Sequence, residues 1–281
     1  MPAPTGFAQL DDSVMAELVE SRMIRELRPA MTSREFLRPS SGTSSRVASF
    51  PLWGDPGPAT AVANDLTEID STALSDTEQS ATAAEIGFRV DVTDVLKIIH
   101  PSDVYSEAGA MVGRSLAEKW ETDLAALMDD FSNVTTAAST LTGLDVLAAI
   151  SALEQRDIPG PYVGYFDPKQ TGELRAEIAT TTASYAIGRD ADKVTPFGDE
   201  GRFGTYMGLP IWQTSLVVTT SGLVGGAVFN STDALGFHEL YGPRVETQRD
   251  ASFRSMEFVG SACYGFKELS DTRGQTVKSA A

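Results

Sequence analysis

The sequence predicts an α+β fold with an extended N-terminal arm, a long two-stranded loop, one long helix and a compact α/β region followed by returning strands. Three observations predict it. Residues 46–94 are acidic with strand-like ends, residues 102–131 carry one continuous apolar row, and residues 142–235 alternate helix and strand signals. The first of these segments has too little apolar surface for a core of its own, so it must lie against another surface.

Residues 1–45 are predicted to form an arm. A helix is expected over 11–28, where apolar side chains recur at helical spacing until Pro29 ends the pattern. From 22 to 46 the chain has six arginines and no lysine, and a Ser- and Gly-rich tract at 40–45 follows. The composition is that of a terminal arm and not of a separate domain.

Residues 46–94 are predicted to form an extended loop of two strands. The chain enters through the apolar stretch 46–53 and returns through 84–92, which alternates apolar and polar side chains with a period of two. Between Asp55 and Glu85 there are seven carboxylates and no basic side chain. A loop of this kind needs a neighbour to lie on, which indicates an assembly.

Residues 95–141 are predicted to form a peripheral domain around a spine helix. The helix is expected over 102–131, about 45 Å at 1.5 Å per residue, and a linker over 132–140. Gly109 and Gly113 lie beside the apolar row, where small residues allow another backbone to come close. The row consists of Tyr105, Ala108, Val112, Leu116, Trp120, Leu124, Leu127 and Phe131.

Residues 142–235 are predicted to form an axial α/β domain. Its first helix, 142–155, is expected to turn Leu144, Leu147, Ala148 and Leu153 inward. The other expected elements are a buried strand at 162–166, a helix from Asp167–Pro168 to Ala179, a Gly-rich loop at 197–204, and strands at 209–218 and 224–229.

Residues 236–281 are predicted to return as strands of the peripheral domain. Residues 244–248 alternate, 252–269 form a long apolar run, and a turn at 270–274 leads to a last short strand. Cys263, the only cysteine, falls inside the apolar run, so we expect a buried structural thiol and no intrachain disulfide.

Composition excludes several classes of function. The net charge of -17 and the pI near 4.5 disfavour general attraction to nucleic acid. No apolar run of membrane-spanning length and no signal peptide is found. With two histidines and no nucleophile, P-loop or zinc motif, the sequence predicts no enzyme and no catalytic, cofactor or metal site.

Several local patterns occur in a specific order. They are 142–150 before 161–168, then 208–215, then 244–250 continuing to 264–271. Because these patterns occur in this order, together with the arm, the loop and the spine helix, the chain resembles tailed-phage major capsid proteins of the HK97-like fold. The resemblance covers about residues 45–278.

The resemblance implies a shell subunit that forms hexamers and pentamers of an icosahedral head around double-stranded DNA, bound without sequence specificity. It implies a virion protein assembled in the bacterial cytoplasm, with a portal protein and an optional decoration or cement protein as partners. Because about 45 residues precede the loop, we expect a separate scaffolding protein. Two alternatives stay open, an encapsulin-type shell around an enzyme cargo and a soluble hydrolase.

Intersubunit contacts are expected where the arm and loop meet a neighbour. Arginines of one arm would pair with carboxylates of a neighbouring loop, and loop aromatics would anchor it. The predicted residues are Arg22, Arg25, Arg28, Arg34, Arg38, Phe50, Trp53, Asp65, Glu68 and Asp70. Some related shells join a loop lysine to a neighbour's asparagine, but this chain has no lysine from Ser40 to Leu96, so a shell without covalent links is expected.

Overall fold

Two β-sheets, a separate hairpin and a long helix organise the chain in a computed structural model. The residues it describes are 17–27, 32–42, 44–54, 57–59, 61, 71, 73–99, 103–180, 202–206 and 208–281. No helix among them is long and apolar enough to cross a membrane.

The elements of the first half begin with helix α1. In chain order they are α1 (17–27), a 3-10 helix (Thr32–Phe36), β1 (Arg38–Pro39), β2 (Val47–Trp53), β3 (Asp76–Thr82), β4 (Ala84–Thr93), α2 (Asp94–Ile99), α3 (Val104–Ala126) and β5 (Val134–Thr136).

The elements of the second half are mostly strands. They are α4 (Gly143–Glu154), β6 (Tyr162–Phe166), α5 (Pro168–Thr180), β7 (Arg202–Tyr206), β8 (Leu209–Gln213), β9 (Thr219–Thr220), β10 (Leu223–Asn230), β11 (Leu235–Asp250), β12 (Ser255–Glu268), a 3-10 helix (Asp271–Arg273) and β13 (Gly274–Ala280).

The first sheet has four strands in the order β1-β11-β12-β4. The pairs β11–β12 and β12–β4 are antiparallel, whereas β1 lies parallel to β11. The sequence predicts strands in this tail, and in the structure the long strands β11 and β12 pair as an antiparallel hairpin. Cys263 is buried in β12, which confirms the expected structural thiol.

The second sheet has the strand order β5-β13-β10-β6-β8-β7, with β9 added beside β10. Two of its strands correct the sequence prediction. Residues 134–136, expected as a linker, form β5 because their backbone pairs with β13, and 202–206 of the expected Gly-rich loop form β7 against β8. The last strand, β13, joins this sheet and not the first one.

The hairpin β2–β3 departs from the predicted two-stranded loop. Strand β2 pairs with β3 from Val47 opposite Thr82 to Trp53 opposite Asp76. The predicted return strand exists as β4, but it pairs with β12 in the first sheet. Strand β3 was not predicted because its sequence is almost entirely polar; it becomes a strand through the hydrogen bonds offered by β2.

Helix α3 is the predicted spine helix with shorter bounds. It begins after Asp103, whose carboxylate accepts hydrogen bonds from the backbone N–H groups of Tyr105 (3.2 Å) and Ser106 (3.4 Å). It ends at Ala126, and a turn carries the chain to the buried Phe131. The predicted row is buried from Tyr105 to Leu124, and Leu127 is half-buried.

The small residues of α3 contact α1 as predicted for a close helix pair. A Cβ atom added to Gly109 would lie 2.6 Å from the Val19 carbonyl oxygen, and one added to Gly113 would lie 2.6 Å from the Met23 carbonyl oxygen. Because each contact repeats four residues further along both helices, α1 runs alongside α3 in the same direction.

Helix α4 is present, but its predicted inward face is wrong. Leu144, Leu147 and Ala148 are exposed, whereas Val146, Ala149 and Leu153 are buried. Of the four residues expected to face inward, only Leu153 does.

Candidate intersubunit surfaces

The hairpin β2–β3 is attached to its own subunit at one end. Phe50 is 2% exposed and packs with Ala48, Ala81 and Leu269. Alternate residues of β2 are buried, as expected for a strand with one covered face. Phe50 anchors the hairpin within its own chain, so we reassign it from the predicted intersubunit contacts to the subunit core.

The other end of the hairpin carries exposed apolar side chains. Trp53 is 67% exposed and Leu74 is 80% exposed. Both residues lie near the end of the hairpin at which the Gly54 N–H donates to the Ser75 carbonyl oxygen (2.8 Å). An exposed tryptophan and an exposed leucine near one end of a hairpin are typical of an interface. The position of Trp53 is therefore compatible with the predicted intersubunit contact, which stays a prediction.

Arg34 of the arm is already paired within the chain. The Arg34 guanidinium lies 2.6 Å from a carboxylate oxygen of Glu239 and 5.0 Å from the ring centroid of Trp120. The neighbouring Ser33 hydroxyl accepts a hydrogen bond from Trp120 Nε1 at 3.0 Å. These contacts hold the 3-10 helix of the arm on its own spine helix.

Arg38 likewise has partners in its own chain. It lies 3.1 Å from Asp233, which also pairs with Arg273 at 2.8 Å, and it reaches the Pro51 carbonyl oxygen of β2 at 3.4 Å. Arg38 therefore ties the arm to strand β2 of the hairpin. A contact of Arg34 or Arg38 with a neighbour's carboxylate would have to compete with these internal pairs.

Some of the other residues predicted for the arginine–carboxylate contact between subunits lie outside the described residues. Arg22 pairs with Glu26 at 3.2 Å on α1, and Arg25 is exposed on the same helix. The remaining predicted residues, namely Arg28, Asp65, Glu68 and Asp70, lie outside the described residues. The arginine–carboxylate contact between subunits stays a prediction.

A buried histidine holds the end of the arm, and no pattern in the sequence predicted this role. His238 in β11 is completely buried; Nδ1 lies 2.8 Å from the Ser40 hydroxyl and Nε2 lies 2.8 Å from the Ser45 carbonyl oxygen. With Nε2 protonated, the ring donates to the carbonyl and accepts from the hydroxyl. The tract 40–45 is thereby fastened to the four-stranded sheet.

The outer face of α4 is a second exposed apolar surface. Leu144 is 74% exposed and Leu147 is 46% exposed. The helix takes this rotation because Thr142 and Asp145 form a capping box at its start, while Val146 and Leu153 fill the core beneath it.

A buried polar cluster joins α3 to the second sheet. The Thr214 hydroxyl donates to a carboxylate oxygen of Glu121 at 2.6 Å. Burial raises the pKa of Glu121, and the hydrogen bond from Thr214 offsets part of this rise. Burial next to Glu121 also raises the pKa of Tyr165 well above its usual range. The cluster is a joint between helix and sheet, with no arrangement of nucleophile and base.

Among the described residues no group of three or more His, Cys, Asp or Glu side chains is placed to hold a metal ion. The prominent surfaces are instead the hairpin end and the apolar helix faces. A family model described as phage capsid protein matches residues 76–276, which is most of the chain and runs from β3 into β13. The chain belongs to this family of phage capsid proteins.

Solved phage capsids have the same fold. The capsid of Ralstonia phage GP4 superposes with a TM-score of 0.71 at 10% identity, covering 89% of this chain and 88% of that one. The capsid of cyanophage Pam1 superposes with a TM-score of 0.66 at 13% identity, covering 89% of this chain and 90% of that one. The capsid of cyanophage P-SCSP1u superposes with a TM-score of 0.65 at 18% identity, covering 88% of this chain and 87% of that one. Sequence comparison with curated proteins finds no match.

These findings confirm the predicted family and fold. This capsid protein has the HK97-like α+β fold of tailed-phage heads, and it is a structural shell protein of a bacteriophage.

Proposed function

We propose that this protein is the major capsid protein of a tailed phage, and that its copies assemble into hexamers and pentamers of an icosahedral head enclosing double-stranded DNA. The observation that carries the proposal is the hairpin end. Trp53 and Leu74 are exposed in an otherwise well-packed subunit of a capsid family. Exposed apolar side chains of this kind contribute to stability only when a neighbouring surface covers them.

The charge of the chain supports a container for DNA. A net charge of -17 disfavours tight binding of phosphate, so packaged DNA would not be trapped on the inner surface during filling. The proposal therefore includes DNA as cargo that is enclosed without sequence-specific contacts.

Other partners follow from the same proposal. A head needs a portal through which DNA enters, and we propose a separate scaffolding protein and an optional decoration protein. Assembly would take place in the cytoplasm of the bacterial host. These partners are proposals that rest on the resemblance of the chain to tailed-phage capsid proteins.

Expression of the chain, alone and with a candidate scaffolding protein, tests the proposal. Gradient sedimentation and electron microscopy should show closed particles or capsomers. A chain that stays monomeric under both conditions would contradict a shell function.

The contents of native particles distinguish a phage head from an encapsulin-type shell. Nuclease treatment followed by extraction should recover protected double-stranded DNA from a phage head. Recovery of a protein cargo without DNA would favour an encapsulin-type compartment instead.

A further inference from the structure

One carboxyl group lies where the spine helix α3 meets the second sheet. The hydroxyl of Thr214, the residue after β8, donates to a carboxylate oxygen of Glu121 at 2.6 Å. The Thr214 N–H in turn donates to the Phe166 carbonyl oxygen at the end of β6 (3.1 Å). One threonine thereby ties a side chain of the helix to two strands of the sheet. We call Glu121, Thr214 and Tyr165 of β6 the carboxyl joint.

The carboxyl joint is buried on the sheet side. Tyr165 and Trp212, which pair across β6 and β8, are each 1% exposed, and Thr214 is 5% exposed. Among the described residues, the hydroxyl of Thr214 is the single hydrogen-bond donor to the Glu121 carboxylate, and no lysine or arginine pairs with it. An ionised carboxylate accepts about four hydrogen bonds, so ionised Glu121 is poorly compensated while the joint is closed.

The elements packed around Glu121 bring no cation to its carboxyl group. Strands β6 and β8 and the segment 214–220 contain no charged residue, so the titratable group that faces Glu121 from the sheet is Tyr165. The charged groups on the neighbouring parts of α3 and of the arm are exposed or paired elsewhere. They are the exposed Glu35 and Glu118 and the ion pairs Arg34–Glu239 and Lys119–Asp123.

The two forms of Glu121 therefore fit the closed joint differently. A neutral carboxyl stays buried at little cost, whereas an ionised one needs further hydrogen bonds, which water supplies once the contact opens. We propose that Glu121 is a proton-operated switch between the spine helix and the second sheet: its neutral form keeps α3 closed on β6 and β8, and its ionised form opens this contact to water. The switch is a property of the folded subunit and does not depend on the proposed shell function.

The direction of the switch follows from the surroundings of the carboxyl group. Burial raises the pKa of Glu121, and the hydrogen bond from Thr214 offsets part of the rise. The closed joint is therefore fully formed below the ordinary glutamate pKa and loosens as the pH rises through the higher value of the folded chain. Burial, together with the charge of Glu121, raises the pKa of Tyr165, so the tyrosine stays neutral throughout and does not operate the switch.

Amide hydrogen exchange of the full chain tests the switch, once rates are corrected for the intrinsic effect of pH on exchange. Protection of residues 209–218, which include the bonded Thr214 N–H, should fall at least ten-fold between about pH 4 and pH 8. Residues 143–155 of helix α4 are the internal reference, because none of them belongs to the joint, and their protection should stay constant. Equal changes in the two segments, or no change in 209–218, would overturn the proposal.

Three variants separate the switch from a purely structural contact. Glu121→Gln keeps the shape of the side chain without its titration, so the protection of 209–218 should become independent of pH. Glu118→Gln, at an exposed glutamate of the same helix, is the matched control and should keep the parental pH dependence. Thr214→Val removes the hydrogen bond that lowers the pKa of Glu121, so opening should move to higher pH.

The same measurements also define failure. Parental pH dependence in Glu121→Gln, its loss in Glu118→Gln, or opening at lower pH in Thr214→Val would each contradict the assigned switch. If Glu121→Gln does not fold, the exchange profile of the parental chain and the direction of the Thr214→Val shift still decide.

Discussion

At the scale of single residues, Trp120 joins three distant parts of the chain. Its ring lies 5.1 Å from that of Phe237 and 4.6 Å from that of Tyr264, both measured between centroids. Its Nε1 donates to Ser33, and the Arg34 guanidinium covers its face. The spine helix, the four-stranded sheet and the arm therefore share one side chain.

We expect Trp120→Ala to lower the free energy of unfolding of the subunit by about 3–5 kcal/mol, because it leaves a cavity and removes the hydrogen bond from Trp120 Nε1 to Ser33. Urea denaturation of the isolated subunit measures this. Trp53→Ala is the control, since that side chain is exposed and its loss should change stability by less than about 0.5 kcal/mol. Similar stabilities for the two variants would contradict the assigned core.

The buried Glu121 predicts a pH dependence with a definite sign. Its pKa in the folded subunit is raised by burial, so the folded state keeps a proton that the unfolded state releases. The stabilisation is fully present below the ordinary glutamate pKa and is lost as the pH rises through the folded value. Glu121→Gln should therefore gain stability relative to the parent as the pH increases from about 4 to 8. Urea titrations of both proteins across this range provide the test, and a constant difference between them would refute the assignment.

At the scale of elements, two glycines determine how closely α1 packs on α3. Each faces a backbone carbonyl of α1, where a methyl group would be 2.6 Å from oxygen. Backbone atoms cannot move aside as a flexible side chain can, so the close pairing depends on the missing Cβ atoms. The sequence showed that close approach was possible there, but not which segment approaches.

Gly113→Ala should destabilise the subunit although alanine favours helices. Helix propensity alone would add about 1 kcal/mol, but the contact with the Met23 carbonyl should cost about 1–3 kcal/mol through overpacking. Gly172→Ala in α5 is the matched control, because no atom lies within 4 Å of the added Cβ there, and it should stabilise. Thermal unfolding compares them, and a stabilised Gly113→Ala variant would show that α1 does not pack closely.

The two aromatic residues of β2 should separate folding from assembly. Trp53→Ala should fold normally and give at least ten-fold fewer particles, since its side chain is exposed at the hairpin end. Phe50→Ala should instead lower subunit stability by about 3–5 kcal/mol, because it is buried. Gradient sedimentation and urea denaturation of both variants distinguish the roles. Full assembly of Trp53→Ala would remove the hairpin end from the proposed interface.

At the scale of the whole molecule, stability of the shell must come from non-covalent contacts. The loop between Ser40 and Leu96 has no lysine, and arginine stays protonated and cannot act as an amine nucleophile. Burial raises the pKa of the Cys263 thiol, and Glu85 adds to the rise. The thiolate, which is the reactive form of cysteine, is therefore also disfavoured. We therefore expect overlap of hairpins and arms to hold neighbouring copies together.

Particles boiled in detergent with reductant should therefore give a single band near 30.0 kDa. Non-covalent contacts are lost under these conditions, whereas isopeptide links survive. A ladder of multimers on the gel would contradict the prediction. Omitting the reductant provides the control for disulfides and should leave the band unchanged.

Helix α4 and strand β3 show where sequence patterns stop being sufficient. The sequence of α4 allows either of two apolar faces, and only packing of Val146 and Leu153 against the second sheet selects one. Strand β3 has no apolar alternation, so nothing local marks it as a strand. Its partner β2 is distant along the chain, and long-range pairing of this kind leaves no periodic signal.

The sequence by itself determined the fold class, the spine helix with its buried row, the strand tail and the buried thiol, because these depend on periodicities that the chain carries locally. The capsid family was implied by the resemblance of the chain to tailed-phage capsid proteins. Only the tertiary structure decided that Arg34 and Arg38 pair within the subunit, that Phe50 is core while Trp53 is exposed, and that α2 buries nothing. The physical reason is that burial and ion pairing depend on which distant segments meet, and composition alone does not specify a partner.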